Sequence, residues 1–180
     1  QGRIKGVRTV EVDWSQPCAG GAPFSELPGS EKQWPADLVL LADLDDQIYD
    51  AETALESLLP RSPYSTLTSV PGWGVVRVSN YAAALGDPQR WPGPRQIYRA
   101  SGLSPMQYES AHKRRDGGIS REGSVALRRA LIDLGLGLWL NEPAAKNYAH
   151  GLKDRGKHGG VVACALAHRA NRIAHHRAPR

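Results

Sequence analysis

The chain has 180 residues, a formal net charge of +5 at pH 7 and two cysteines. Its length allows one domain with a sizeable core, or one small domain with an extension. No apolar run approaches the roughly 18 residues needed to span a bilayer, and the first residues lack the apolar core of a signal peptide, so we expect a soluble cytoplasmic protein. Cys18 and Cys164 lie too far apart for a zinc or redox spacing, which favours free thiols in a reducing compartment.

The two halves of the chain carry opposite charge. Residues 1–90 contain 7 Lys and Arg against 12 Asp and Glu, a net charge of −5. Residues 91–180 contain 16 against 6, a net charge of +10. Such a basic half is either a solvated surface or the part that meets a polyanion. Because it directly follows a turn of phosphate-binding type, described below, nucleic acid is the favoured partner.

The first 60 residues are predicted to form two regions. Residues 1–35 are rich in Gly, Pro, Ser and Trp and show no core, which predicts an irregular segment with at most one edge strand at 7–13. Residues 36–60 are predicted to form a coiled-coil-like helix. Two rows of apolar residues repeat every seven positions in it, namely Leu41, Ile48, Leu55 and Leu44, Ala51, Leu58.

This apolar seam leaves two interpretations open. The helix can pair with a second copy of itself, or it can pack on the domain that follows. Acidic residues fill the positions off the seam. The spacing of Asp43 and Asp46 fits a solvated helical face better than a metal site.

Residues 64–178 are predicted to form a compact domain of mainly α structure. Pro60 and Pro63 end the preceding helix. Short helices are expected at about 64–69, 75–85 and 94–101, a loop or irregular hairpin at 105–120, and longer helices from about 124 to 140, from 143 to 151 or 156, and from 160 to 176. Either Ser120 or Ser124 can cap the first of the longer helices.

The helix that ends near residue 140 has a clear apolar face. This face consists of Leu127, Leu131, Leu134 and Leu138. Gly135 and Gly137 weaken the isolated helix, so their expected use is close packing against a neighbour.

The segment Pro71-Gly72-Trp73-Gly74 has the form of a helix-hairpin-helix turn. Apolar residues follow it at spacings of three and four, as expected for the next helix. Glycine allows the turn to adopt positive φ and allows its amides to approach a phosphate at that helix's N-terminus. Gly72 and Gly74 are therefore predicted to contact DNA.

Two serines in the basic half are candidate reactive groups. Ser110 and Ser120 lie near a group of basic residues that would concentrate positive charge around a phosphodiester, namely His112, Lys113, Arg114, Arg115 and Arg121. No G-x-S-x-G elbow is present, so acyl transfer is not supported. The segment 151–158 resembles a phosphate-binding loop but lacks its hydroxyl residue and its strand, so we reject that interpretation. No metal ligand is assigned.

Seven short segments occur together in an order that is far more specific than any one of them. Residues 67–173 resemble the C-terminal transposase domain of the bridge-RNA-guided insertion-sequence recombinases, the family that also includes the pilin-gene invertase. The matching segments are Ser69–Gly74, Leu85–Asp87, Ser101–Pro105, Tyr108–Ser110, Ile119–Gly123, Leu127–Leu131 and Gly156–Lys157. The seam at 41–58 resembles the coiled coil that precedes this domain in the family.

The resemblance implies a mechanism and its residues. The serine after Tyr-Glu, here Ser110, is the implied nucleophile that attacks a DNA phosphodiester and holds the strand as a phosphoserine ester. The element at Ser120, Arg121 and Gly123 is assigned to DNA contact and to loop positioning. The complete set of predicted DNA-binding residues is Gly72, Gly74, Lys113, Arg114, Arg115, Ser120, Arg121, Arg128 and Lys157.

The resemblance also implies partners outside the chain. Family members carry a RuvC-like acidic domain that binds magnesium and docks a guide RNA, and this chain has no room for it. We therefore expect a DNA-binding, bacterial piece of a longer recombinase that forms homo-oligomers through residues 41–58, with no cofactor of its own. The alternatives are a non-catalytic DNA-binding module and an inactive transposase remnant.

Overall fold

The computed structural model describes residues 30–110 and 113–178, with side chains for residues 37–106 and 117–178. Six α-helices and one hairpin lie in these residues: α1 (Ser30–Leu58), α2 (Val75–Leu85), α3 (Pro94–Ala100), β1 (Pro105–Ser110), β2 (Lys113–Ile119), α4 (Val125–Asn141), α5 (Pro143–Asp154) and α6 (Gly159–Arg177). Short 3-10 turns occupy Leu59–Arg61, Ser65–Ser69 and Pro88–Arg90. The predicted mainly α class is confirmed.

Most predicted elements agree with the observed bounds. The predicted helix at 75–85 coincides with α2, and the segment predicted as an irregular hairpin forms the antiparallel pair β1–β2. The predicted helix at 64–69 is a 3-10 turn rather than an α-helix. α1 begins at Ser30, earlier than predicted, because the prediction started where the apolar pattern begins. The strand predicted at 7–13 lies outside the described residues, as does Cys18.

The chain divides into two units, residues 1–50 and 51–180, and the boundary falls within α1. In the first unit, the seam residues Leu41, Leu44 and Ile48 are 57%, 43% and 55% exposed. An apolar row of this kind is what a coiled-coil partner would cover. Pairing of the helix stays a prediction.

The core of the second unit is built around α4. The predicted apolar face is confirmed, since Leu127, Leu131, Leu134 and Leu138 are all buried. Ser124, rather than Ser120, caps the helix by accepting a hydrogen bond from the Leu127 amide at 3.2 Å. Full burial of each such leucine contributes about 1.5–3 kcal/mol to folding, so this face anchors the domain.

The two glycines of α4 serve close packing, as predicted. A Cβ atom at Gly135 would lie 2.8 Å from the Ala167 nitrogen of α6, and one at Gly137 would lie 2.4 Å from the Gly72 oxygen. Both distances are shorter than any side chain tolerates. α4 therefore contacts α6 and the turn before α2 backbone to backbone.

No helix in the described part of the chain combines the length and the apolar composition required to cross a bilayer.

Candidate nucleic-acid interface

The turn before α2 is a type II β-turn. The Trp73 amide donates to the Val70 carbonyl at 3.0 Å, Pro71 occupies the second position, and Gly72 in the third position has φ of +80°. The positive φ expected from the sequence is thus confirmed. A Cβ at Gly72 would lie 2.1 Å from the Gly137 carbonyl oxygen, so the glycine also allows the turn to press on α4. Trp73 is buried and holds the turn against α4, because its Nε1 donates to the Leu134 carbonyl at 2.9 Å.

The N-terminus of α2 has acidic surroundings. Gly74 is the N-cap, has no side-chain cap, and faces open space. The adjoining groove is lined by three carboxylate residues, Glu52, Glu56 and Asp133, and by one arginine, Arg77. Arg77 already has two partners within the chain, because its Nε lies 3.1 Å from Asp133 and its Nη1 donates to the Gly72 carbonyl at 3.0 Å. Carboxylates beside these amides oppose a phosphate, so the DNA contact of Gly72 and Gly74 stays a prediction.

The base of the hairpin is tied to the turn after α3. The Ser120 amide donates to the Ser104 carbonyl at 2.9 Å, and the Arg121 amide donates to the Gly102 carbonyl at 3.0 Å. Gly123 has φ of +147°, and a Cβ there would lie 2.3 Å from the Ala100 carbonyl oxygen. This cross-connection fixes where the hairpin leaves the helical core.

Arg128 on α4 reinforces the hairpin base. Its Nε donates to the Ser101 carbonyl at 2.9 Å, and its Nη2 donates to the Arg121 carbonyl at 2.7 Å. Two of its five N–H donors are therefore used to hold backbone. The structure places this predicted DNA-binding residue in a positioning role, and its contact with DNA stays a prediction.

Arg121 has an unusual backbone for an exposed arginine. Its φ is +57°, a left-handed conformation that costs roughly 1 kcal/mol or more for a residue with a Cβ. The hydrogen bonds from its own amide and to its own carbonyl stabilise this conformation. Strain maintained in this way is common where a side chain must be aimed at a ligand.

The strand register brings Ser110 and three of the predicted cations together at the far end of the hairpin. Ser110 pairs with Lys113, Glu109 with Arg114, and Tyr108 with Arg115. At about 3.3 Å per residue, Ser110 lies about 15 Å along the strand from the hairpin base. Ser120, the other candidate hydroxyl, lies at that base, half-buried, and its Oγ donates to the Gly102 carbonyl at 3.4 Å.

Lys157 lies elsewhere, exposed in the turn between α5 and α6. Its neighbour His158 caps α6, because Nδ1 accepts a hydrogen bond from the Gly160 amide at 3.2 Å. Among the side chains that the structure describes, in residues 37–106 and 117–178, no three His, Cys, Asp or Glu residues are grouped so that they could hold a metal ion.

The buried tyrosines are poor candidates for a nucleophile. Burial, with a smaller effect of Asp87, raises the pKa of Tyr64 to about 12, and its hydroxyl donates to the Gly86 carbonyl at 2.5 Å. Burial, with a smaller effect of Cys164, raises the pKa of Tyr98 to about 12, and burial also raises the pKa of Tyr81. All three phenols are neutral at physiological pH.

One basic surface of the structure lies outside the site predicted from the sequence. The exposed residues Arg169, Arg172 and His176 of α6 recur at spacings of three and four, and they line a groove beside the Val70–Pro71 turn. The spacing was visible in the sequence, but the contact with the turn was not.

The chain is similar to insertion-sequence transposases. Residues 64–150 match the family described as "Transposase IS116/IS110/IS902 family". The transposase for insertion sequence element IS1328 of Yersinia enterocolitica is 30% identical over 145 residues, which are 73% of this chain and 40% of that protein. The transposase for insertion sequence element IS1111A of Coxiella burnetii is 32% identical over 93 residues, 51% of this chain and 26% of that protein. The chain thus spans less than half the length of these relatives, and its residues 64–150 form a domain of the IS116/IS110/IS902 transposase family.

Proposed function

We propose that this chain is the DNA-joining part of an insertion-sequence transposase and that Ser110 is its nucleophile. The register of the hairpin is the observation that carries the proposal. It sets Ser110 opposite Lys113 and Tyr108 opposite Arg115, so these residues share one face of the hairpin. A hydroxyl next to cations is the arrangement needed to attack a phosphodiester and to stabilise the anionic transition state.

The proposed step is a transesterification. The Ser110 Oγ forms a bond to phosphorus while the bond from phosphorus to the leaving sugar oxygen breaks. The serine proton ends on that sugar hydroxyl. A hydroxyl of a second strand later attacks the phosphoserine ester and releases Ser110, so the number of phosphoester bonds is unchanged and no nucleotide hydrolysis is required.

The core supports this step by positioning the hairpin. The cross-connection at Ser120, Arg121 and Gly123 and the bonds from Arg128 hold the hairpin base. Catalytic groups act efficiently only when they are held close to their reactive geometry. Arg121, exposed beside this base, is proposed to contact the DNA backbone.

Two further parts of the proposal concern the assembly. The exposed seam of α1 at 41–58 is proposed to pair with a second copy of the chain. A guide RNA and an acidic magnesium-binding domain are proposed for the longer protein, as the family resemblance implies.

A suicide DNA substrate tests the nucleophile. A nicked duplex that loses its short strand after attack traps any covalent protein–DNA adduct. We expect an adduct with the wild-type chain and with Ser57→Ala, since Ser57 is an exposed serine whose Oγ bonds only its own helix. The adduct should disappear in Ser110→Ala.

The second candidate function is a non-catalytic DNA-binding module, which the excess of Lys and Arg in residues 91–180 favours. It predicts equal DNA binding by the wild type and Ser110→Ala with no adduct in either. That outcome would replace the enzyme proposal.

A further inference from the structure

The C-terminal helix carries a continuous exposed basic face. Arg169, Arg172, His176 and Arg177 follow one another at i, i+3, i+7 and i+8 and are all exposed. Residues at these spacings lie on one side of a helix. α6 contains no Asp or Glu. Its charge is therefore of one sign along its whole length.

The arginines of this face are available for an external anion. No carboxylate in the described part of the chain forms an ion pair with Arg169, Arg172 or Arg177. Arg169 is held in place, since its guanidinium lies 3.5 Å from the centroid of the Tyr148 ring. Arg177 is held by a hydrogen bond of 2.8 Å from Nη1 to the Ser69 Oγ. The cations are thus partly preorganised, which lowers the entropic cost of binding.

The basic face forms one wall of a groove of about 610 Å³. Val70, Pro71, Leu138 and Ile173 form its apolar lining, and Glu142 is the one carboxylate residue that lines it. The C-terminal end of α6 is held against the 3-10 turn Ser65–Ser69, because the Thr66 hydroxyl donates to the Arg177 carbonyl at 2.9 Å. A groove with cationic and apolar walls matches a sugar-phosphate chain, whose phosphates are anionic and whose deoxyribose carbons are apolar.

We infer that this groove, which we call the α6 groove, binds the phosphate backbone of DNA, an inference that rests on the proposed DNA-joining function. From Arg169 to His176 the helix rises about 10 Å, which matches about three steps of 3.4 Å axial rise between successive phosphates of one strand. The basic wall of the groove, on α6, lies outside residues 64–150, the segment that matches the transposase family, whereas the wall with Val70, Pro71 and Leu138 lies inside that segment. The groove is a second DNA contact, separate from the hairpin that carries Ser110.

Salt-dependent binding of the full chain to a 30-bp DNA duplex tests the α6 groove. The plot of log K against log salt has a negative slope, and each lost phosphate contact makes that slope less steep by about 0.9 for B-DNA. The variant Arg169→Gln/Arg172→Gln should therefore make the slope less steep by about 2. The matched variant Arg95→Gln/Arg99→Gln removes the same charge from two exposed arginines of α3 and should leave the slope unchanged.

Two further variants separate binding from folding. Arg172 forms no hydrogen bond from its side chain within the described part of the chain, and Arg172→Gln should make the slope less steep by about 1. Arg169→Lys keeps the charge and should retain most of the binding. A thermal melt of each variant identifies any that has unfolded.

Three outcomes decide the inference. Equal slopes for the α6 and α3 double variants overturn it while the proposed function stands. A less steep slope for the α6 variant on an RNA duplex of the same sequence, with DNA binding intact, overturns it in favour of RNA. A wild-type chain that does not bind DNA overturns the proposed function itself, and the α6 groove with it.

Discussion

The turn at 70–74 and the base of the hairpin use glycine in the same way but stand in different electrostatic surroundings. Gly72 and Gly123 both have positive φ, and both allow one backbone segment to press on another. Beside the turn, the open N-terminus of α2 faces Glu52, Glu56 and Asp133. The hairpin base is flanked by exposed Arg121 and leads to Lys113, Arg114 and Arg115. A glycine motif therefore indicates close backbone packing. Whether a phosphate can bind there depends on the charges of the neighbouring residues.

The largest expected effect is at the turn. Gly72→Ala places a Cβ 2.1 Å from the Gly137 carbonyl oxygen at a φ that L-residues rarely adopt. We expect the free energy of unfolding, measured by chemical denaturation, to fall by about 3 kcal/mol or more. Gly74→Ala is the control, because its Cβ meets open space, and should cost less than about 1 kcal/mol. A loss of DNA affinity in stable Gly74→Ala would show that this turn contacts phosphate after all.

The hairpin base should be the next most sensitive position. Gly123→Ala places a Cβ 2.3 Å from the Ala100 carbonyl oxygen. We expect a destabilisation of about 2 kcal/mol and faster hydrogen exchange at the Ser120 and Arg121 amides. Gly118→Ala, in the same hairpin with nothing within 4 Å, should leave both measurements nearly unchanged. Equal effects of the two variants would argue against a fixed hairpin base.

Arg128 and Arg129 form a matched pair on α4. Arg128→Lys keeps the charge but loses the fork geometry that reaches the Ser101 and Arg121 carbonyls. We expect a destabilisation of about 1–2 kcal/mol, since two hydrogen bonds are lost. Arg129 is exposed, so Arg129→Lys should stay within about 0.5 kcal/mol of the wild type. If Arg128→Lys is as stable as the wild type, its positioning role is wrong.

A smaller effect concerns pH. Burial, and then the charge of Arg172, lowers the pKa of His168, whose ring lies edge-on to Tyr98 with centroids 4.9 Å apart. Between the pKa of His168 in the folded protein and its higher pKa in the unfolded protein, the unfolded state binds more protons than the folded state. The contribution of His168 to stability is therefore fully present above the unfolded-state pKa and is lost as the pH falls through the folded-state pKa. The wild type should lose more stability than His168→Gln between pH 7.5 and 5.5, and His150→Gln, an exposed control, should behave like the wild type. Equal losses in all three proteins would remove His168 as the cause.

Local patterns in the sequence were sufficient to predict most of the fold. Apolar spacing predicted the bounds of α2 and the buried face of α4, and the two small residues Gly135 and Gly137 predicted close packing. These features depend on residues within a few turns of one another. Side-chain capping could not be assigned uniquely, because Ser120 and Ser124 both stand before the same apolar run.

The parts of the site that the sequence did not reveal depend on distant residues. Glu56 and Asp133 meet beside α2 although 77 positions separate them. The α6 groove needs Arg172 and Pro71 to come together, and no local periodicity encodes that contact. Arg128 looked like a DNA contact because its charge is visible in the sequence, whereas the carbonyls that it binds are placed by the packing of α4.

The most direct test of the account identifies the residue that carries DNA. The wild-type chain is incubated with the nicked suicide duplex, digested with nuclease and protease, and analysed by mass spectrometry for a peptide with a nucleotide attached. The account predicts one modified peptide, with the phosphoester on Ser110. A nucleotide on Ser120, or on no serine while DNA binding is retained, would contradict it.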